Sequence, residues 1–145
     1  MTITGGCQCG TVRFEITGPL MGVGNCHCNA CRKAQGSAFR TRARVRKADF
    51  RWLSGEAEVR NHESSSGFHR GFCGKCGSPV VNWNSETSGA TMQNPARLET
   101  YGLAVGSLDG DPGVRPGFHC FVAFMAPWHE ITDDLPQYEG YPPGV

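Results

Sequence analysis

The sequence predicts an all-β fold of short strands arranged as a sandwich or layered sheet, and three observations carry that reading. Short β-rich runs recur at regular intervals, 20 Gly and 9 Pro punctuate them as turn residues, and a single stretch looks helical. The first run is Thr11 to Ile16. The helical stretch is Ala30 to Gln35, one or two turns long, and Gly36 ends it. Five further runs follow, Ala38 to Val45, Ala57 to Asn61, Phe68 to Phe72, Val80 to Trp83 and Thr100 to Val105, and Cys120 to Met125 is the last. Between them, Glu63 to Gly67 and Asn84 to Gly89 read as exposed loops. The ending from Leu135 to Val145, with Pro136, Pro142 and Pro143, reads as a tail lying along the surface. No repeat, heptad pattern or glycine-rich phosphate loop interrupts the series.

A length of 145 residues suits one domain with one core, so residues 1–145 are expected to form a single unit. The net charge of +1 provides no bulk field toward nucleic acid or an anionic membrane. Partner choice must therefore come from a local site. No apolar run approaches the roughly 20 residues needed to span a bilayer. The start, Met1-Thr-Ile-Thr-Gly-Gly6, lacks the features of a secretory signal, and a cytoplasmic location is the expectation.

The 8 cysteines need a reason in a reducing compartment, where disulfides are not maintained and close thiols read as metal ligands or redox groups. They fall into Cys7-Gln-Cys9-Gly10, Cys26-His-Cys28-Asn-Ala-Cys31 and Cys73-Gly-Lys-Cys76-Gly77, with Cys120 alone. Two thiolates one or two residues apart can bite one ion, and the following Gly can take the positive φ that such a turn often requires. Both outer pairs carry that Gly. Together Cys7, Cys9, Cys73 and Cys76 would complete a tetrahedral structural zinc that staples the N-terminus to the middle of the chain. Redox chemistry at Cys73 and Cys76 is the alternative, although no βαβ unit surrounds them.

Cys26, Cys28 and Cys31 then form a second site with three sulfurs and an open position, the arrangement of catalytic zinc. The alternative places Cys120 or His119 in the fourth position and makes this site structural too. His27, between two ligands, is expected to point away from the metal. Cys120 reads as a buried thiol or small filler. In Phe39-Arg40-Thr41-Arg42-Ala43-Arg44-Val45-Arg46, strand alternation puts the four arginines on one face. Such a strip could bind carboxylates or nucleic-acid phosphates. A solvated face neutralised by Asp49, Glu56 and Glu58 is the preferred reading.

These residues carry a resemblance. Gly-Gly-Cys7-x-Cys9-Gly, then Cys26-His-Cys28-x-x-Cys31-Arg-Lys with Gly36-Ser37-x-Phe39, then Arg70-x-Phe-Cys73-Gly-x-Cys76-Gly-Ser78 resemble the glutathione-dependent formaldehyde-activating enzyme family, which includes centromere protein V. Gly106-Ser-Leu-Asp109, Pro116-x-x-His119 and Ala126-Pro-Trp128-x-x-Ile131 are similar to its C-terminal signatures. The resemblance implies a β-tent fold of small antiparallel sheets pinned by zinc, with two zinc ions per chain. It implies Cys7, Cys9, Cys73 and Cys76 as structural zinc ligands and Cys26, Cys28 and Cys31 as catalytic ones. It further implies carbon–sulfur lyase-type chemistry, like condensation of glutathione with formaldehyde to S-hydroxymethylglutathione.

Two functional classes stand at this point. The first is a zinc enzyme acting on a small-molecule thiol and aldehyde, or on their adduct, with His27, Arg32, Gln35 and Ser37 as nearby polar candidates. The second is a non-catalytic zinc-stabilised module that binds an acidic partner or nucleic acid through the arginine strip. The enzyme is preferred, because a purely structural role gives no reason for three ligands instead of four.

Overall fold

Two β-sheets enclose the apolar core in the computed structural model, which describes residues 1–145. The strands are β1 (Ile3–Gly6), β2 (Arg13–Ile16), β3 (Met21–Cys26), β4 (Arg40–Arg46), β5 (Phe50–Ser54), β6 (Val59–Ser65), β7 (Phe68–Cys73), β8 (Pro79–Asn84), β9 (Thr100–Ala104) and β10 (His119–Cys120). Helix α1 spans Asn29–Gln35 and α2 spans Gly89–Gln93, with short 3-10 turns elsewhere. One sheet has the order β1-β2-β5, and the other β10-β3-β4-β9-β8-β7-β6. The larger sheet is antiparallel except at its β10–β3 edge. This is the mostly-β architecture expected of a β-tent.

Strand alternation gives the large sheet two unlike faces. On one, Ala43, Leu103 and Val81 stand in register across β4, β9 and β8 and are buried. Phe14 and Ile16 of β2 join Val45, Val81 and Leu103 in one core cluster, and Phe50 stacks on Phe14 at 5.0 Å. Fully burying a side chain such as Phe14 contributes about 1.5–3 kcal/mol. On the other face, Arg44, Gly102, Asn82 and Arg70 stand in register across β4, β9, β8 and β7. That row is polar yet largely covered.

Several elements depart from the sequence reading. β1 and β3 are glycine-bearing, Ile-Thr-Gly-Gly and Met-Gly-Val-Gly-Asn-Cys, so their own propensity is poor and sheet pairing decides them. Gly24 is needed there, since the Phe118 ring lies 2.4 Å from where a Cβ would stand. β5 also went unread. Of the expected Cys120 to Met125 strand only Cys120 belongs to β10, because Phe121 turns into the left-handed region at φ 55 and Val122–Phe124 form a 3-10 turn. Glu63 to Gly67 is the end of β6 and a tight hairpin into β7. Asn84 and Ser88 are buried and bonded at 2.7 Å, and Ser88 caps the additional helix α2. The tail runs alongside β10, with His119 N–H donating to the Pro136 carbonyl at 2.8 Å and Tyr138 N–H to the His119 carbonyl at 2.9 Å.

Candidate metal centres and an arginine-lined cavity

The four outer cysteines meet where β1 and β7 end. Gly10 and Gly77 adopt φ of 80° and 78°, as the two turns require, and their N–H groups donate to the Cys7 and Cys73 carbonyls at 3.1 and 2.8 Å. These turns aim both sulfur pairs at one point. The sulfurs of Cys7, Cys9, Cys73 and Cys76 all lie within 4.8 Å of one another, with Cys7 to Cys9 at 3.5 Å and Cys9 to Cys73 at 3.9 Å. Four thiolates at the usual zinc–sulfur distance would be about 3.8 Å apart, so the donor set fits a tetrahedral ion. The Ser78 hydroxyl and backbone N–H bring the Cys76 thiol down to about 5, and Thr11 lowers Cys9 in the same way. At Cys76 the thiolate is thereby favoured.

Cys26, Cys28 and Cys31 also bring their sulfurs within 4.8 Å of one another. Cys26 ends β3, Cys28 caps α1 by accepting the Cys31 N–H at 3.3 Å, and Cys31 sits in the first turn. Helix α1 ends as expected, with Gly36 at φ 61 donating to the Arg32 carbonyl. The Cys31 thiol is pushed down, first by donation from Cys26 and Cys28 and then by the nearby Arg40 and Arg70 guanidiniums. Arg70 Nη1 and Nη2 stand 3.7 and 3.8 Å from Cys31 Sγ. Cys120 is fully buried against Cys26, in register with it across the β10–β3 pair, but lies outside the group of three mutually close sulfurs. It is the buried thiol that the sequence suggested. Both cysteine clusters can hold metal ions, and thiolate sets of this kind suit zinc.

Beside the three sulfurs lies a cavity of about 120 Å³. Its floor is the polar face of the large sheet, with Arg40, Arg42 and Arg44 from β4, Arg70 from β7 and Asn82 from β8. Its roof is Arg97 from the Pro95–Glu99 turn, with Phe121 and Tyr141. The arginine alternation was therefore read correctly but its surroundings were not. Arg40 and Arg42 are buried at 6% and 7% exposure, and only Arg46 meets its expected partner, Asp49, at 2.6 Å. Glu56 and Glu58 pair with none of the four. Asn82, with its amide oxygen turned toward Arg40, accepts from Nη1 at 2.8 Å and Nη2 at 3.2 Å.

His27 is neither solvent-facing nor beside the cavity. It is fully buried and shares a 2.8 Å bond between its Nε2 and Nδ1 of His119, whose Nε2 stands 3.0 Å from Asp133. The carboxylate fixes the tautomers: His119 donates Nε2–H to Asp133, so its Nδ1 accepts Nε2–H from His27. Burial keeps His27 neutral and brings it down to about 4. The chain His27–His119–Asp133 thus anchors the segment between Cys26 and Cys28. The other polar candidates fall elsewhere. Arg32 bonds Asn29, Ser37 Oγ donates to the Phe39 carbonyl at 2.6 Å, and neither they nor Gln35 line the arginine cavity. Sequence reasoning missed Arg97, Asn82 and Tyr141, which come from three separate segments with no local pattern, and met Arg70 only as part of a motif, with no role given to it.

The comparisons with known proteins agree with this architecture. The family model described as glutathione-dependent formaldehyde-activating enzyme matches residues 2–123, which include both cysteine clusters and all five arginines of the cavity. A solved structure of a Rhodobacter sphaeroides protein is similar at 26% identity with a TM-score of 0.55, over 78% of this chain and 91% of that one. His129, Asp133 and Tyr141 lie beyond the matched residues. No helix is long and apolar enough to cross a membrane.

Proposed function

The chain belongs to the glutathione-dependent formaldehyde-activating enzyme family, and from that premise we propose that it is a zinc-dependent enzyme of the carbon–sulfur lyase type, acting on a small thiol–aldehyde adduct. The observation that carries the reading is a set of three converging cysteine sulfurs with a cavity at their side. In this reading Cys26, Cys28 and Cys31 hold the reactive ion, while Cys7, Cys9, Cys73 and Cys76 hold a structural one. A zinc ion at the three sulfurs supplies Lewis acidity to a substrate sulfur or aldehyde oxygen.

The remaining work falls to the chain. The condensation forms a bond between thiol sulfur and aldehyde carbon and moves the thiol proton to the aldehyde oxygen, so no oxidant or second product is required. Cleavage of the adduct runs the same balance backwards. Holding both reactants in one small enclosure lowers the entropic part of the barrier. Arg70, beside Cys31 Sγ, offsets negative charge on the thiolates, and Phe68 and Phe121 limit water at the cavity. His27, His119 and Asp133 hold the ligand-bearing segment in register without facing the reactants.

The test is turnover by metal-loaded protein of small thiols with formaldehyde, followed by nuclear magnetic resonance of the adduct. Wild type is expected to speed adduct formation or exchange, and Cys28→Ser to lose at least 100-fold, on the order expected for loss of metal catalysis. Equal rates with wild type, Cys28→Ser and buffer would reject an enzyme of this class.

A further inference from the structure

Four arginines outside the cavity pair with carboxylates: Arg13 with Asp109, Arg46 with Asp49, Arg51 with Glu15 and Arg115 with Asp111. Those in the cavity find none. Arg40, Arg42, Arg44, Arg70 and Arg97 line it, no Asp or Glu does, and none of the five pairs with a carboxylate. Three are more than nine-tenths buried, Arg40 at 6%, Arg42 at 7% and Arg97 at 7% exposure. Burying an unpaired charge is costly, so like charges gathered this way need a compensating group.

The donors for that group are already in place. Nε of Arg40, Arg44 and Arg97 and Nη2 of Arg42 are buried with no hydrogen-bond partner. The metal centre does not consume them, since three thiolates around a dication leave one net negative charge, enough to offset one guanidinium. Gly102, in register between Arg44 and Asn82, adds no side chain and keeps the floor between the guanidiniums open. Arg97 lies over the Tyr141 ring at 5.6 Å and Arg70 over Phe68 at 4.9 Å, which holds their planes. The volume of about 120 Å³ is close to the roughly 150 Å³ of a cavity that accepts benzene. A ligand of that size is far smaller than a tripeptide.

We infer that this cavity is a subsite for a compact oxyanion carrying two negative charges, a small dicarboxylate or a phosphate-bearing molecule, and not for a peptide of the size of glutathione. The planar forks of arginine match carboxylate and phosphate oxygens in pairs. The inference deepens the proposed function and rests on it only for the reaction at the neighbouring sulfurs: the substrate would carry its thiol or aldehyde carbon toward Cys26, Cys28 and Cys31 and its charges toward the arginines.

The test is calorimetric titration of metal-loaded protein, at constant ionic strength and with no thiol reductant in the buffer, using malonate, inorganic phosphate, the neutral isostere malonamide, and glutathione. Malonate or phosphate should bind, and which of the two binds more tightly separates a carboxylate from a phosphate source. Malonamide should bind at least tenfold more weakly, and glutathione should not compete with the bound anion. Arg97→Gln and Arg44→Gln should each weaken anion binding at least tenfold with metal content unchanged, while Arg46→Gln, at the surface, leaves it intact. If Arg97→Gln does not fold, Arg44→Gln, which is less buried, carries the comparison. Equal binding of malonate and malonamide, unchanged binding in the arginine variants, or displacement by glutathione would overturn the subsite. Malonate binding by a protein with no thiol–aldehyde turnover would instead reject the proposed reaction and leave the subsite standing.

Discussion

The two cysteine clusters use the same ligand atom in opposite ways. Cys7 and Cys9 are joined to Cys73 and Cys76 across most of the first half of the chain, whereas Cys26, Cys28 and Cys31 come from one turn and the helix start after it. An ion at the first cluster closes a long loop and ties the end of β1 to the end of β7, so it restricts the unfolded chain strongly. An ion at the second closes only a local loop and adds little of that kind. Their neighbours differ as well. Hydroxyls and backbone N–H groups from Thr11, Val12 and Ser78 surround the first, and arginines surround the second. In the proposed reading one cluster holds the fold and the other faces a ligand.

The sharpest way to break that contrast is substitution within each cluster. Cys73→Ser should remove metal-linked folding free energy on the order of 10 kcal/mol and abolish cooperative melting by circular dichroism. Cys28→Ser should keep a cooperative transition and lose a single ion. Equal unfolding by both would contradict the division.

Smaller in size, and opposite in sign, is Arg97→Met. Replacing a buried unpaired guanidinium by an apolar chain should raise stability by about 1–3 kcal/mol in anion-free buffer, measured by urea denaturation. The gain should vanish when malonate is added, because only wild type is then stabilised. A loss of stability in anion-free buffer would mean that Arg97 has a packing role that outweighs its charge.

The histidine chain supplies an intermediate case. His119→Phe removes the acceptor for His27 Nε2–H inside a fully buried site, at a cost of about 1–3 kcal/mol. Asp133→Asn, half-exposed, should cost less. Metal content at the four-cysteine cluster should not respond to either change, which elemental analysis of each variant checks.

The smallest effect is expected at the Arg13–Asp109 pair beside β1. Arg13 and then Thr4 bring the Asp109 carboxyl down to about 2, below its ordinary value near 3.8. A depressed folded value means that its stabilisation is complete above the ordinary value and is lost as the pH falls from there through about 2. The difference in melting between wild type and Asp109→Asn should therefore be the same at pH 8 and pH 5. Solvent exposure limits it to under about 1 kcal/mol. A difference that shrinks between those two pH values would contradict the assignment.

The same contrast explains what could be read from the chain alone. The closely spaced cysteine pairs and triplet, the positive-φ glycines at 10 and 77 and the end of α1 at Gly36 depend on residues close in sequence, so spacing reveals them. The arginine alternation in β4 was equally local. What covers those arginines was not, since Arg97 and Tyr141 arrive from segments far along the chain and no pattern links them to β4. A charged strand normally faces solvent, and here a roof reverses that outcome. β1 and β3 were missed for a related reason: their glycines serve close packing, as at Gly24 under Phe118, at the expense of strand propensity.

Zinc per chain, measured by elemental analysis on freshly purified protein before and after mild dialysis against a chelator, tests the central claim most directly. The account predicts two ions falling to one with the far-ultraviolet circular dichroism and melting transition retained. Loss of both ions together with the fold, or a single ion that never leaves, would contradict a closed structural cluster beside an open reactive one.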